Sequence, residues 1–334
     1  MSRPLPLDWL ASHREDPVDP DRPIVDPHHH LWPEGQGIAY VVDDLVRDTN
    51  AGHNIVKTVF VECGAAYDRA SDERFAPVGE TRFVAASAKD LADRYPERAP
   101  IAGIVAHADL RSSQLDELLD AHVDAGGGRF RGIRHALSRA MEPAALSIPG
   151  GAPEGLFEDP AFRAGVARLG ERGFTYDSWH YHHQNQEFLA VAQACPNTTM
   201  VLDHFGTPLG VGRFAGRHDE IFPAWCDDMR EIAACENVVV KLGGLAMPDN
   251  GFGYHRGERP PSSDRILADQ RRWYEHMIEC FGPGRCMFES NFPVDKMSAS
   301  YTIVWNVFQK LVADFSDDEQ TAMFSGTASR VYSL

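Results

Sequence analysis

The stretch IVDPHHHLW, residues 24–32, sets three histidines behind an apolar pair and an aspartate. On an extended strand, side chains two residues apart project from one side, so Asp26, His28 and His30 are expected to share a face while His29 turns away. Two such imidazoles can hold one divalent metal ion, and an ion with an open coordination position activates water against a carbonyl. The other histidines decide whether this stretch belongs to a site. Of 15 in the chain, nine close apolar runs: His28, His29 and His30, His107 in IAGIVAH, His135 in FRGIRH, His180, His182 and His183 in FTYDSWHYHH, and His204 in TTMVLDHF.

The elements that must carry them are eight short runs beginning at Ile24, Ile55, Ile101, Phe130, Phe174, Thr198, Val238 and Cys286. Each is nearly continuously apolar, as a strand covered on both faces by helices has to be. Between them SSQLDELLDAHVDAGG, DPAFRAGVARLGERG, QNQEFLAVAQAC, EIFPAWCDDMREIAAC and ILADQRRWYEHMIECFGPG place apolar residues at helical spacing. This alternation predicts an α/β fold, a (β/α)8 TIM barrel forming a single domain over residues 24–334. An N-terminal extension, residues 1–23, precedes it, and a helix over Ser316–Leu334 is expected to close it. No glycine-rich phosphate fingerprint follows the first strand, which argues against a dinucleotide-binding sheet. In a barrel the C-terminal strand ends, where the nine histidines fall, form the catalytic face.

Composition limits the partners. Lys+Arg 32 against Asp+Glu 49 gives a net charge of -17, a field that repels nucleic acid and anionic membranes and leaves a small molecule as the expected partner. No apolar run is long enough to span a membrane, and the N-terminus carries prolines and acids where a secretion signal has its apolar core. A cytoplasmic protein is expected, with six cysteines that form no CxxC pair as reduced core thiols. Self-association into a homo-oligomer is left open.

DPHHHLW, FRGIRH, YDSWHYHHQ, VLDHFGTP, VVVKLGG and MFESNFPVD, in this order, resemble motifs of the amidohydrolase superfamily. The resemblance is to its amidohydrolase-2 branch, which includes sugar lactonases and 2-pyrone-4,6-dicarboxylate lactonase, and it runs from Ile24 to Leu334. It implies a barrel in which His28, His30, His182 and His204 face the substrate and can hold one divalent ion, zinc or manganese. After strand five the choice lies among His180, His182 and His183; the order tyrosine-histidine-x-glutamine resembles the branch at His182. Two departures matter. FRGIRHAL offers Arg131, Arg134 and His135 where binuclear members carry a lysine or glutamate, so a bridged metal pair is not expected. Strand eight reads Ser290, Asn291, Phe292, Pro293 where hydrolytic members usually read serine-aspartate-tryptophan-proline. An amide there can orient a water but cannot take its proton.

The resulting expectation is a hydrolase of a small lactone or amide, carboxylate- or aromatic-bearing, acting by water attack on a carbonyl. Asn291, His182, Arg134, Asp295 and Glu62 are the candidate catalytic residues, with Glu289 a further acid near the same strand end. Arg134 can pair with a substrate carboxylate. A metal-free route, in which histidines and arginines polarise the carbonyl, stands beside the metal-dependent one. The alternatives are a decarboxylase of an aromatic or unsaturated acid and a barrel that binds a ligand without turning it over. The long glycine- and proline-rich segment after strand seven reads as a loop over the barrel mouth, with Phe252, Tyr254 and His255 able to reach substrate.

Overall fold

The computed structural model describes residues 3–70 and 72–334. Eight strands form one sheet in sequence order: β1 Ile24–His29, β2 Ile55–Val61, β3 Ile101–Ala106, β4 Phe130–Arg134, β5 Thr175–Ser178, β6 Met200–Leu202, β7 Val238–Leu242 and β8 Cys286–Phe288. Every neighbouring pair is parallel. A bridge between His29 and Phe292, with the His30 N–H donating to the Phe292 carbonyl at 2.8 Å, nearly closes the sheet into a barrel. The (β/α)8 expectation therefore holds. The five helices legible in the sequence are present as Leu115–Gly126, Pro160–Glu171, Asn185–Ala194, His218–Ala233 and Ser263–Phe281, and Val42–Thr49, Val78–Arg94 and Tyr301–Leu311 complete the outer ring.

Strand alternation sorts the core into two regions. Val25, Val59, Val61, Val105, Val201, Val239 and Met287 fill the barrel interior, because branched side chains of similar size pack in layers there. Alternate strand positions such as Ile24, Phe60, Ile104, Tyr176, Val240 and Phe288 join the outer core beneath the helices. The C-terminal segment Asp317–Val331 is helical throughout, with one wide turn at Ala322–Gly326, and its Ala328 and Tyr332 pack against the inner valines. It closes the barrel from below, opposite the strand ends that carry the histidines.

The alternation expected along β1 fails at one point. Asp26 does not share a side with His28: its carboxylate accepts from the Tyr301 hydroxyl at 2.8 Å and the Ser290 N–H at 3.0 Å. A register shift between Asp26 and His29 inserts an extra residue and re-aims the strand, so His28 turns into the barrel. All six cysteines are free, and no helix among the described residues is long and apolar enough to cross a membrane.

Candidate active site

One layer above the inner valines, the same alternation brings charge into the barrel. Lys241 stands two residues beyond Val239, Asp203 two beyond Val201 and Glu289 two beyond Met287, so each points inward over its apolar neighbour. Lys241 Nζ donates to Asp177 Oδ2 at 2.8 Å and lies 3.2 Å from Asp203 Oδ1 and 3.3 Å from His28 Nδ1. The Tyr332 hydroxyl, rising from the C-terminal segment, donates to the same Asp177 oxygen at 2.5 Å. Arg134 Nε donates to Glu62 Oε1 at 2.8 Å, and its Nη1 reaches Asp203 Oδ2 at 3.3 Å; Nη2 bonds the Glu62 carbonyl.

Glu289 joins two histidines. Its Oε1 is 2.6 Å from His204 Nδ1 and its Oε2 is 2.7 Å from His28 Nδ1. Gly243 and Gly244 clear the space for this cluster: a Cβ on Gly243 would stand 2.4 Å from Glu289 Cγ, and one on Gly244 2.5 Å from His204 Nδ1. His204 and Asn291 both hold left-handed backbone, with φ of 54° and 52°. Non-glycine residues seldom adopt that conformation, and it is retained where surrounding structure fixes a side chain for function.

Above the cluster opens a cavity of about 480 Å³, walled by Trp32, Ile38, Ile148, Trp179, Met247 and Val294 among others. Of the residues singled out in the sequence, His30, Glu62, Arg134, His204 and Asn291 line it, and His28 sits directly beneath. His30 is fixed by donating Nδ1–H to the Val61 carbonyl at 2.8 Å, which leaves Nε2 as its acceptor, 3.3 Å from His28 Nε2. Asp295 stands behind Asn291, accepting from Nδ2 at 3.1 Å. This bond fixes the amide and leaves Asn291 Oδ1 for the cavity.

His182 is not brought to the cluster. Its Nδ1 accepts from the Leu209 N–H at 3.2 Å and its ring packs edge-on against Phe214. The segment after β5 turns one residue early, so Trp179 lines the cavity while His180 is buried against Phe188, bonded to Ser178 and Asn185. Glu289, not a strand-five histidine, supplies the third donor beside His28 and His204. Arg134 is also not free for a substrate carboxylate, since Glu62 and Asp203 hold it in the wall. His29 packs on Phe60 with neither ring nitrogen hydrogen-bonded. From the loop after β7, Met247 reaches the cavity, whereas Phe252 stacks on His218 and Tyr254 bonds Asp269. Sequence reading missed Lys241, Asp177 and Asp203 as parts of the site. A lysine inside VVVKL was the available signal, because a lone cation in a strand buried on both faces requires buried acids around it.

Burial sets the protonation of this layer. Burial, then the charges of Lys241, His204, His30 and Arg134, holds His28 well below the usual imidazole range, and burial followed by Arg134 does the same to His30. For His204 burial is outweighed by Glu289 and Asp203, and the ring is raised. Lys241 likewise resists burial because Asp177, Asp203 and Glu289 raise it, so its ammonium stays charged. Four buried carboxylates, Glu62, Asp177, Asp203 and Glu289, face two buried cations, Lys241 and Arg134. Carboxylates outnumber the cations in this layer, and the His204 ring, raised by Glu289, offsets part of the excess.

The donor set fits one divalent ion. His28, His204 and Glu289 are buried and place their ligand atoms within 4.8 Å of one another, and two imidazoles with one carboxylate match the catalytic zinc type. Glu289 Oε2 has no aligned hydrogen-bond donor despite its closeness to His28 Nδ1. An orphaned buried carboxylate oxygen beside an imidazole nitrogen, in a layer richer in carboxylates than in cations, is what a bound cation would satisfy.

Comparison with known proteins agrees with this architecture. The amidohydrolase family model matches residues 25–334. The chain is 31% identical over 336 residues to the protein y4mH of Sinorhizobium fredii, covering 93% of this chain and 99% of that one. It is 28% identical over 319 residues to L-fucono-1,5-lactonase of Burkholderia multivorans, covering 93% and 96%. A crystal structure of an amidohydrolase from Burkholderia multivorans with bound zinc superposes with a TM-score of 0.72 at 27% identity, over 93% of this chain and 99% of that one.

Proposed function

This chain belongs to the amidohydrolase family and is an enzyme of hydrolase type, and from that premise we propose that it opens a small lactone by water attack in the cavity above Glu289. The similarity to L-fucono-1,5-lactonase over nearly the full length supports a lactone before an amide. His28, His204 and Glu289 would hold one divalent ion, zinc or manganese; bound there, such an ion supplies Lewis acidity toward a carbonyl and acidifies water.

The chain's own residues do the rest. Asn291 Oδ1, fixed through Asp295, accepts a hydrogen bond from the attacking water and orients it. Glu62 is the one carboxylate among Glu62, Glu289 and Asp295 that reaches the cavity wall, and it takes the water proton as the oxygen adds to the carbonyl carbon. When the ring carbon–oxygen bond breaks, Glu62 returns that proton to the leaving oxygen, so a hydroxy acid is released. Arg134 holds the Glu62 carboxylate in place at 2.8 Å and lies 5.9 Å above the Trp179 ring. Trp32 and Trp179 shield the ring of the substrate from bulk water.

The observation that carries this reading is the orphaned Glu289 Oε2 in a buried layer richer in carboxylates than in cations, beneath the cavity. Elemental mass spectrometry on untagged protein, combined with pH-stat assay of L-fucono-1,5-lactone opening, tests it. The expected results are about one metal equivalent that is lost in Glu289→Gln, and a Glu62→Gln variant that keeps the metal but loses about 10²-fold or more in kcat. Full turnover by Glu62→Gln would remove it as the base. Failure to open any lactone, with zinc or manganese added, would overturn the reading.

A further inference from the structure

Two arginines line the cavity, Arg134 in the floor and Arg3 at the mouth. Arg134 is consumed by Glu62 and Asp203. Arg3 is different: among the described residues its guanidinium has no ion pair and no hydrogen bond. It comes from the N-terminal segment, outside the barrel proper, yet its backbone is seated. The Arg3 N–H donates to the Gly37 carbonyl at 2.7 Å, the Ala39 N–H donates to the Arg3 carbonyl at 3.0 Å, and Arg3 bridges Ile38 in parallel. The strand it pairs with is itself pressed onto the cavity wall. Gly37 has φ of 47°, and a Cβ there would overlap the Trp32 indole at 2.1 Å. Further along, Glu15 accepts from Ser263 and Asn306, and Val18 and Asp19 donate to Asn306 and Gln309, so the segment is tied to the helices Ser263–Phe281 and Tyr301–Leu311.

An unpaired guanidinium on a cavity whose apolar walls are Trp32, Ile38, Ile148, Trp179, Met247 and Val294 favours one kind of ligand. An apolar ring fills the walls, and a carboxylate at its outer end meets Arg3 with charge-assisted hydrogen bonds, favoured by the planar fork of donors. Glu62, the one carboxylate among the residues lining the cavity, is held by Arg134. We propose that Arg3 is the specificity-determining residue of this cavity, selecting cyclic substrates that carry a carboxylate remote from the scissile bond. This rests on reading the cavity as the hydrolase site, and it moves anion recognition from Arg134 to the N-terminal segment.

The test compares wild type with Arg3→Ala, Arg3→Lys and Arg3→Glu on two lactones of one shape, coumalate and its methyl ester. The ratio of kcat/KM for the acid over the ester is expected to fall about tenfold in Arg3→Ala, to be partly kept in Arg3→Lys and to reverse in Arg3→Glu. Calorimetric binding of benzoate against benzamide reads the same selection without turnover, with an expected wild-type preference for benzoate of about tenfold that Arg3→Ala abolishes. Equal ratios in wild type and Arg3→Ala would overturn the inference, as would benzoate failing to bind the wild-type protein. If neither lactone is opened but the benzoate preference follows Arg3, the lactonase reading fails while anion selection by Arg3 is upheld.

Discussion

Replacing Lys241 by methionine removes the one cation shared by Asp177 and Asp203 while keeping the volume of the side chain. In the native barrel Nζ stands 2.8 Å from Asp177 Oδ2 and 3.2 Å from Asp203 Oδ1, and all three side chains are fully buried. Methionine would leave two desolvated carboxylates facing one another, with the Tyr332 hydroxyl and Arg134 as their remaining donors. Removing one member of a buried ion pair costs about 3–5 kcal/mol, because the orphaned charge keeps its desolvation penalty. A chain of 334 residues unfolds with roughly 0.7 kcal/mol/K of entropy, so Tm should fall by about 4–7 °C. Burial raises the Asp177 carboxyl, so the loss should shrink toward acid pH as its protonation removes the repulsion. Adding Asp177→Asn to Lys241→Met should recover part of it, a non-additivity expected of partners in contact. Scanning calorimetry of the three variants from pH 4 to 8 measures all of this. A Lys241→Met shift under about 1 °C, or strict additivity with Asp177→Asn, would refute the argument that this ion cluster is tightly balanced.

Glu80, buried behind Glu62 and raised to about 8 by burial and then by the Glu62 charge, gives a second pH dependence. Its folded pKa lies above the unfolded value, so its contribution is fully present below about pH 4 and is lost as pH rises toward 8. Glu80→Gln retains the acceptor for the Cys63 and Ala65 N–H groups and should flatten the stability profile between about pH 4 and 8; parallel profiles for the two proteins, measured by urea unfolding, would contradict this. Trp179→Ala removes a broad wall of the cavity and should raise KM for a lactone about tenfold or more through lost apolar contact, and an unchanged KM in steady-state kinetics would place substrate elsewhere.

The sequence by itself determined the barrel and the candidate residues at its C-terminal face. Eight apolar runs alternating with helical patterns leave few other ways to bury both faces of each strand, and a closed parallel barrel gathers the C-terminal ends of β1, β6 and β8 on one face. His30, His204, Asn291, Glu62 and Arg134, named from their places at strand ends, line the cavity, with His28 beside them. Tertiary structure alone decided the rest. A one-residue shift in β1 sent Asp26 outward and His28 inward, and an early turn after β5 put Trp179 at the cavity and His180 and His182 away from it. Counting residues cannot detect such shifts, because one residue gained or lost in an extended segment reverses every side chain beyond it. Charge pairing lay further still from view. Arg134 became a wall residue and Arg3 a free one because acids from β2 and the end of β6 reach the first and none reaches the second. That outcome depends on distances between segments far apart in the chain, which only the closed barrel brings together.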